Sequence, residues 1–149
     1  YIQEADEILF ADNHGDAMID AIDQYSHADF IYEVVDEPDW DYLKMINSKL
    51  NETGRRLIIS TLHSIIAQNA KDNGLAFYFS YAVNNFADLQ TMHELGACYA
   101  LITAPIFFEQ DKLAKFSIPL RYRANVAYSG HLTTKRVNAN AAFIRPEDV

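Results

Sequence analysis

The feature that most constrains the fold of this chain is an alternation of short apolar runs with amphipathic segments. The runs are rich in Ile, Val, Tyr and Phe and are apolar on both faces; they cover residues 7–11, 29–35, 56–61, 76–83, 98–104 and 118–128. Such runs are typical of parallel strands that helices cover. The alternation therefore predicts an α/β fold of repeated βα units, with a parallel sheet and right-handed crossovers.

The segments between the runs carry apolar residues at helical spacing. Helices are predicted over residues 16–25, 38–50, 63–73 and 84–95, and a short fifth helix opens at Pro105. Pro38 suits the first turn of the second helix. The fourth helix has the clearest ends, because Asn84 or Asn85 is a good N-terminal cap and Gly96 a natural C-terminal residue. The predicted buried stripes are Met18, Ile19, Ile22 and Tyr25; Trp40, Leu43, Ile46 and Leu50; Ile65, Ile66 and Ala70; and Phe86, Leu89, Met92 and Leu95.

Two architectures are compatible with this pattern. A complete eight-unit barrel takes about 250 residues, so a chain of 149 residues would form a partial or shortened TIM-barrel-like structure. An open doubly wound sheet of five or six strands is the alternative. Its nucleotide-binding members carry a glycine-rich first turn. The first turn here, "ADNHGD", has no such pattern, so no dinucleotide or nucleoside triphosphate site is expected.

The division of the chain follows from where the alternation stops. We expect one βα-repeat domain over residues 1–130 and a C-terminal arm over 131–149, which has little periodicity. Because the chain opens at Tyr1 and ends abruptly at "FIRPEDV", we expect it to be incomplete at one or both ends.

Charge and cysteine content exclude several classes of function. The net charge of −9 repels phosphate groups, so binding to nucleic acid or to an anionic membrane is not expected. No segment approaches the roughly 18 apolar residues of a membrane span, and a cytoplasmic location is expected. A single cysteine, Cys98, excludes an intrachain disulfide and a cysteine-based metal site. We expect no cofactor.

Polar residues follow the predicted strands, at the edge where parallel α/β folds place their chemistry. Asp12 and His14 follow the first strand, and His63 follows the third. Carboxylate and imidazole groups suit zinc, iron or manganese, so these three residues are a candidate metal site. The same letters, "DNHG", also form a good turn in which Asp16 caps the next helix. We favour the turn.

A second candidate group involves one buried charge. Glu33 lies within the apolar run "FIYEVV", where an unpaired carboxylate costs several kcal/mol. In the sixth strand, Arg121, Arg123 and Asn125 are two residues apart and therefore share a face. We expect Glu33 to pair with one of the arginines. In an enzyme, these four residues would instead bind substrate.

One stretch resembles a known family. Residues 75–130 contain a strand, a short "N-x-x-D-L" helix, "ELGA", and a strand that leads to another short helix; "FIRPEDV" resembles segments that close such barrels. These motifs are similar to those of the U32-peptidase-like group of TIM-barrel proteins. The resemblance implies barrel-type architecture. The cysteine cluster that holds iron and sulfur in several members has no counterpart here, so that chemistry is not implied.

Three functions remain open from the sequence. The first is an α/β domain that acts through contacts in a larger assembly. Its partners would be other protein chains, a missing part of its own chain, or further copies of itself in a homo-oligomer. The second is a U32-like enzyme that acts on a small polar or anionic substrate. The third is a divalent-metal hydrolase. The weak catalytic constellation favours the first, and whether the protein is an enzyme is left open.

Overall fold

The computed structural model of the protein describes residues 6–102, 118–123, 132–134 and 141–144. The predicted fifth helix from Pro105, and Asn125, lie outside these residues. The elements in chain order are β1 (Glu7–Phe10), a 3₁₀ segment (Asp12–Ala17), α1 (Met18–Gln24), β2 (Asp29–Val34), α2 (Trp40–Asn51), β3 (Leu57–Thr61), α3 (Ser64–Asp72), β4 (Ala76–Phe79), β5 (Ala82–Val83), α4 (Phe86–Leu95), β6 (Ala100–Ile102), β7 (Leu120–Arg123), β8 (Leu132–Thr134) and β9 (Ala141–Ile144).

The strands form two sheets that meet at one interrupted strand. One sheet has the order β4-β3-β2-β1-β9 and the other β5-β6-β7-β8. All pairs are parallel except β7 with β8, which is antiparallel. The fourth apolar run is broken at Ser80 and Tyr81, so that β4 pairs with β3 while β5 pairs with β6. The predicted α/β class and parallel pairing are confirmed.

Buried side chains separate onto the two sides of the strands. The helix-side core joins alternate strand residues, such as Phe30 and Ile59, to buried residues from all of α1, α2, α3 and α4. The second cluster, called the strand-only cluster because it has no helix residue, joins the intervening strand residues to Cys98 and Tyr99, which come just before β6: Leu9, Ile31, Ile58, Ala76, Tyr78, Ala82, Cys98, Tyr99 and Leu101. No described helix contributes to this second cluster. The described helices therefore cover one side of the strands, whereas a doubly wound sheet has helices on both faces.

Local sequence explains where the helices begin and end. The Asp39 carboxylate caps α2 by accepting from the backbone N–H of Tyr42 at 3.2 Å. Asn85 caps α4 by accepting from the N–H of Asp88 at 2.8 Å, and α4 ends at Gly96 with a φ of 88°. The prediction for α4 is therefore confirmed at both ends.

Four local predictions were wrong. Asp16 does not cap α1, because it lies inside the 3₁₀ segment and the cap position is Ala17. Pro38 precedes the cap of α2 instead of occupying its first turn. Ile19 and Ile65 are exposed. The buried face of α1 is set by Met18, Ala21 and Ile22, and that of α3 by Ile66, Ala67 and Ala70, so both isoleucines lie outside these faces.

A buried arginine joins the end of α1 to the start of β3. Arg55 is only 6% exposed. Its Nη1 donates to the carbonyl oxygen of Tyr25 at 2.9 Å, and its Nε donates to Thr53 Oγ1 at 2.7 Å. Burial lowers the pKa of Arg55, and the nearby carboxylates of Asp23 and Asp29 oppose that shift. The guanidinium group therefore supplies the buried hydrogen bonds between the end of α1 and the segment before β3.

The predicted C-terminal arm contributes strands to both sheets. β8 pairs with β7, and β9 pairs with β1 in the register Glu7–Ala141 to Phe10–Ile144. The sequence did not predict these two short strands. They belong to the sheets of this chain, and contact of the arm with a partner stays a prediction.

Candidate functional site

The stretch "DNHGD" forms the turn between β1 and α1. It makes up most of the 3₁₀ segment Asp12–Ala17. This segment is kinked at His14, where φ is −119° and ψ is 18°. The Asp12 carboxylate accepts from the backbone N–H of Val35 at 3.4 Å. This bond ties the turn after β1 to the loop after β2.

The candidate metal ligands are not brought together as a group. Among the described residues, no three His, Cys, Asp or Glu side chains lie where they would hold a metal ion. His63 is an exposed residue at the start of α3, and its backbone N–H donates to Thr61 Oγ1 at 3.1 Å. His14 is half-buried, and its Nδ1 has no hydrogen-bond partner within the described part of the chain. The hypothesis of a site formed by Asp12, His14 and His63 gains no support from this geometry.

A cleft of about 430 Å³ opens beside this turn, and we call it the tyrosine cleft. Its lining residues come from the 3₁₀ segment, β2, and the loop and first turn leading into α2: Asp12, Asn13, Gly15, Asp16, Tyr32, Pro38, Asp39, Tyr42 and Leu43. Its described lining includes aspartate and tyrosine side chains but no lysine or arginine. The cleft therefore has the polarity to receive a cationic or hydrogen-bonding group.

Two tyrosines fix the shape of the cleft by bonding to the backbone of the turn. Tyr32 Oη donates to the carbonyl oxygen of Asp12 at 2.7 Å, and Tyr42 Oη donates to that of Gly15 at 2.9 Å. Gly15 is required by the close approach of the first ring, because a Cβ atom there would lie 2.6 Å from Tyr32 Oη. The turn, β2 and α2 are thus held together around the cleft.

Both phenols are held in the neutral, donating form. Burial raises the pKa of Tyr32 above 10.0, and the carboxylates of Asp12 and Asp16 raise it further. Burial also raises the pKa of Tyr42, with added effects of Asp16 and Asp20, against a backbone hydrogen bond with Ile19 that lowers it. At neutral pH both hydroxyl groups therefore remain donors.

These shifts predict a loss of stability in alkali. The folded-state pKa of each tyrosine lies above the unfolded value of 10.0. The contribution of the neutral hydroxyl to the free energy of unfolding is therefore complete below that pH, and it is lost as the pH rises through the folded-state pKa. We expect the melting temperature to fall with pH above about 10 less steeply in a Tyr32→Phe, Tyr42→Phe variant than in the wild type. Thermal unfolding from neutral to alkaline pH measures both slopes. Equal slopes would contradict the prediction.

Glu33 lies on β2, and positions 121 and 123 lie on β7. Glu33 is half-buried in β2 and is in register with Ser60, on the side of the strand-only cluster. Position 121 is in register with Leu101, which belongs to the same cluster. The backbone therefore places positions 33 and 121 on one side of the sheets, and position 123 follows the same alternation. Pairing of Glu33 with Arg121 or Arg123 stays a prediction.

Apolar side chains are exposed where three neighbouring strands end. Val35 follows β2, Leu62 follows β3, Tyr81 follows β4, and Ile65 lies in the first turn of α3; these side chains are 50%, 61%, 43% and 73% exposed. The last register pairs are Val34 with Thr61 and Thr61 with Phe79. Strands in a sheet lie about 4.8 Å apart, so these residues lie near one another along one edge of the sheet. We call this group the apolar rim.

Sequence reasoning missed most of the residues that form these two features. It identified Asp12 and Asp16 as residues of the turn after the first strand, but it did not identify Tyr32, Tyr42 or Asp39 as neighbours of that turn. The available signal was the position of Tyr32 near the end of a strand next to a glycine-containing turn. The apolar rim was hidden because Val35 belongs to the predicted strand and Ile65 to the predicted buried stripe.

No protein-family model matches this sequence, and a search of curated proteins finds no relative. Among the helices of the described ranges, none has both the length and the apolar character needed to cross a bilayer.

Proposed function

We propose that this protein is an α/β domain, built as a partial barrel, that acts through contacts with other protein chains in a larger assembly. The observation that carries this proposal is the apolar rim. It lies at the edge where parallel α/β enzymes place their catalytic groups, and here that edge presents exposed Val, Leu, Ile and Tyr side chains. Scattered exposed apolar residues are ordinary, whereas apolar residues grouped at one edge of a sheet indicate an interaction surface.

The one-sided packing supports the barrel-like part of the proposal. All four described helices pack on one side of the strands, and the strand-only cluster fills the other. Strands that curve around such a cluster are the arrangement found in barrels. The resemblance of residues 75–130 to the U32-peptidase-like group agrees with this architecture.

The polar groups at this edge support contact more than catalysis. Asp12 is engaged with the Val35 N–H, and the hydroxyl groups of Tyr32 and Tyr42 are engaged with backbone carbonyls. These bonds give the edge a fixed shape. Among the side chains described at this edge, no nucleophile is hydrogen-bonded to a base, as a catalytic pair would be.

A second candidate function is an enzyme that binds a small polar or anionic substrate through Arg121, Arg123, Asn125 and Glu33. The observation in its favour is the common side of the sheets on which positions 33 and 121 lie. In this candidate the apolar rim has no role, so a single experiment on the rim separates the two functions.

Site-specific cross-linking tests the proposed contact. A photoreactive amino acid at position 65 is expected to give a discrete cross-linked species in cells of the natural source. Position 68 is the matched control, because Gln68 is also exposed on α3 and lies one turn away. A species formed from position 65 and not from position 68 supports the contact function. Equal yields from both positions, or no species from either, would overturn it.

A further inference from the structure

We propose that the partner seated on the apolar rim is a basic protein segment, one that places apolar side chains on the rim and a lysine or arginine side chain in the tyrosine cleft. This inference rests on the proposed contact function and names the chemistry of its partner. It stands on the continuity of the rim with the cleft and on the charge of the loops around both.

The rim and the cleft form one surface. Val35, a rim residue, donates its backbone N–H to the carboxylate of Asp12, a residue that lines the cleft. The loop of residues 35–39 therefore contributes Val35 to the rim and Pro38 and Asp39 to the cleft. A single bound segment of a few residues spans both features.

The described loops that follow β1, β2, β3 and β4 carry no positive formal charge, and the first two carry several carboxylates. Residues 11–17, 35–39, 62–63 and 80–85 contain no lysine or arginine, while the first two ranges contain Asp12, Asp16, Asp36, Glu37 and Asp39. Burial raises the pKa of Tyr81 on the rim, and the nearby carboxylate of Asp88, in the first turn of α4, raises it further. Within residues 6–102, the lysine and arginine residues lie on α2, before β3 and near the end of α3: Lys44, Lys49, Arg55, Arg56 and Lys71.

The charge pattern decides which occupant fits. A second copy of this acidic chain would bring like charges together wherever two such edges meet, and like charges across an interface are unfavourable. A basic segment instead gains from the negative loops, and its apolar side chains cover the rim. The cleft is lined by aspartates and by two tyrosines, and both carboxylates and aromatic rings attract a cation. The favoured partner is therefore a segment that carries both basic and apolar side chains.

Short synthetic peptides test the partner's chemistry. The probes are a peptide of alternating Lys and Leu, one of alternating Glu and Leu, and one of alternating Lys and Ser. Binding is measured by calorimetry at physiological ionic strength and by fluorescence of the only tryptophan, Trp40, whose Nε1 donates to Glu37 next to the cleft. We expect the Lys–Leu peptide to bind at least about tenfold more tightly than either of the other two.

Paired variants separate a local site from the overall negative charge. Leu62→Ser with Ile65→Ser is expected to weaken binding of the Lys–Leu peptide by about tenfold or more, and Asp16→Asn by several-fold. Gln68→Ser and Glu52→Gln are the controls. Glu52→Gln removes the same charge as Asp16→Asn, but from the exposed residue that follows α2. Circular dichroism and thermal melting confirm that each variant is folded.

The outcomes distinguish this inference from the contact function beneath it. Equal weakening by Asp16→Asn and Glu52→Gln, or equal binding of the three peptides, would overturn the basic-partner inference. So would self-association of the protein alone, measured by sedimentation, that the rim variant abolishes. A cross-link from position 65 with no binding of the Lys–Leu peptide leaves the contact function standing without a basic partner. Absence of both overturns the two proposals together.

Discussion

Replacing Arg55 with methionine is expected to lower the free energy of unfolding by roughly 3 kcal/mol, since each hydrogen bond from a charged donor contributes about 1.5–3 kcal/mol. Methionine keeps much of the side-chain length but has no donor. The variant therefore loses the bonds to the Tyr25 carbonyl and to Thr53 Oγ1, in a position that is only 6% exposed. Water cannot readily replace the guanidinium there.

Arg56 supplies a matched control for this prediction. It is exposed, and its guanidinium lies 3.8 Å from the carboxylate of Asp29 in a surface ion pair. Such pairs contribute at most about 1 kcal/mol, so Arg56→Met is expected to be nearly neutral. Chemical denaturation of the wild type and both variants gives the comparison. Similar losses for Arg55→Met and Arg56→Met would show that the buried bonds do not have the assigned role.

Gly15→Ala is expected to destabilise the protein by about 1–3 kcal/mol, the usual cost of forcing an extra group into a packed site. The new Cβ atom would lie 2.6 Å from Tyr32 Oη and 2.7 Å from the adjacent ring carbon. The ring cannot move away freely, because its hydroxyl donates to the Asp12 carbonyl at 2.7 Å. We also expect the tyrosine cleft to change shape.

A double-mutant cycle identifies the origin of the Gly15 effect. In a Tyr32→Leu background the ring is gone, so Gly15→Ala is expected to cost less than half of its value in the wild type. Gly54→Asn is the control, because a Cβ atom at Gly54 meets nothing within 4 Å and asparagine tolerates the φ of 73° found there. Its expected cost is under about 1 kcal/mol. An unchanged cost of Gly15→Ala without the tyrosine ring would contradict the steric explanation.

Periodicity predicted the parts of the fold that depend on neighbouring residues. The strands through β7 and the four described helices follow from runs of apolar side chains, and the ends of α4 follow from Asn85 and Gly96. The strands in the C-terminal arm could not be predicted this way. β8 and β9 are only three and four residues long, and their pairing with β7 and β1 depends on residues that are distant in the sequence.

The site was harder to predict than the fold for a similar reason. Its residues gain their roles from contacts between separate segments, such as Tyr42 on α2 with the backbone of Gly15 in the first turn. The exposure of Ile65 was missed because an isoleucine in a helical stripe is normally buried. The predicted start of α3 at residue 63 is within one residue of the observed start at Ser64. Adjacent residues of a helix lie about 100° apart around its axis, so Ile65 and Ile66 cannot both face the sheet, and the pattern did not decide between them.

The pairing of β1 with β9 has a consequence for how the protein folds during synthesis. Glu7 pairs with Ala141, so one side of β1 stays without its partner until residues 141–144 have left the ribosome. Contacts between such distant residues have a large loop-closure entropy and form slowly. Until then β1 presents an unpaired edge of the kind that aggregates. A circular permutation that places β9 before β1 would make this contact local. The two strands could then pair early in synthesis.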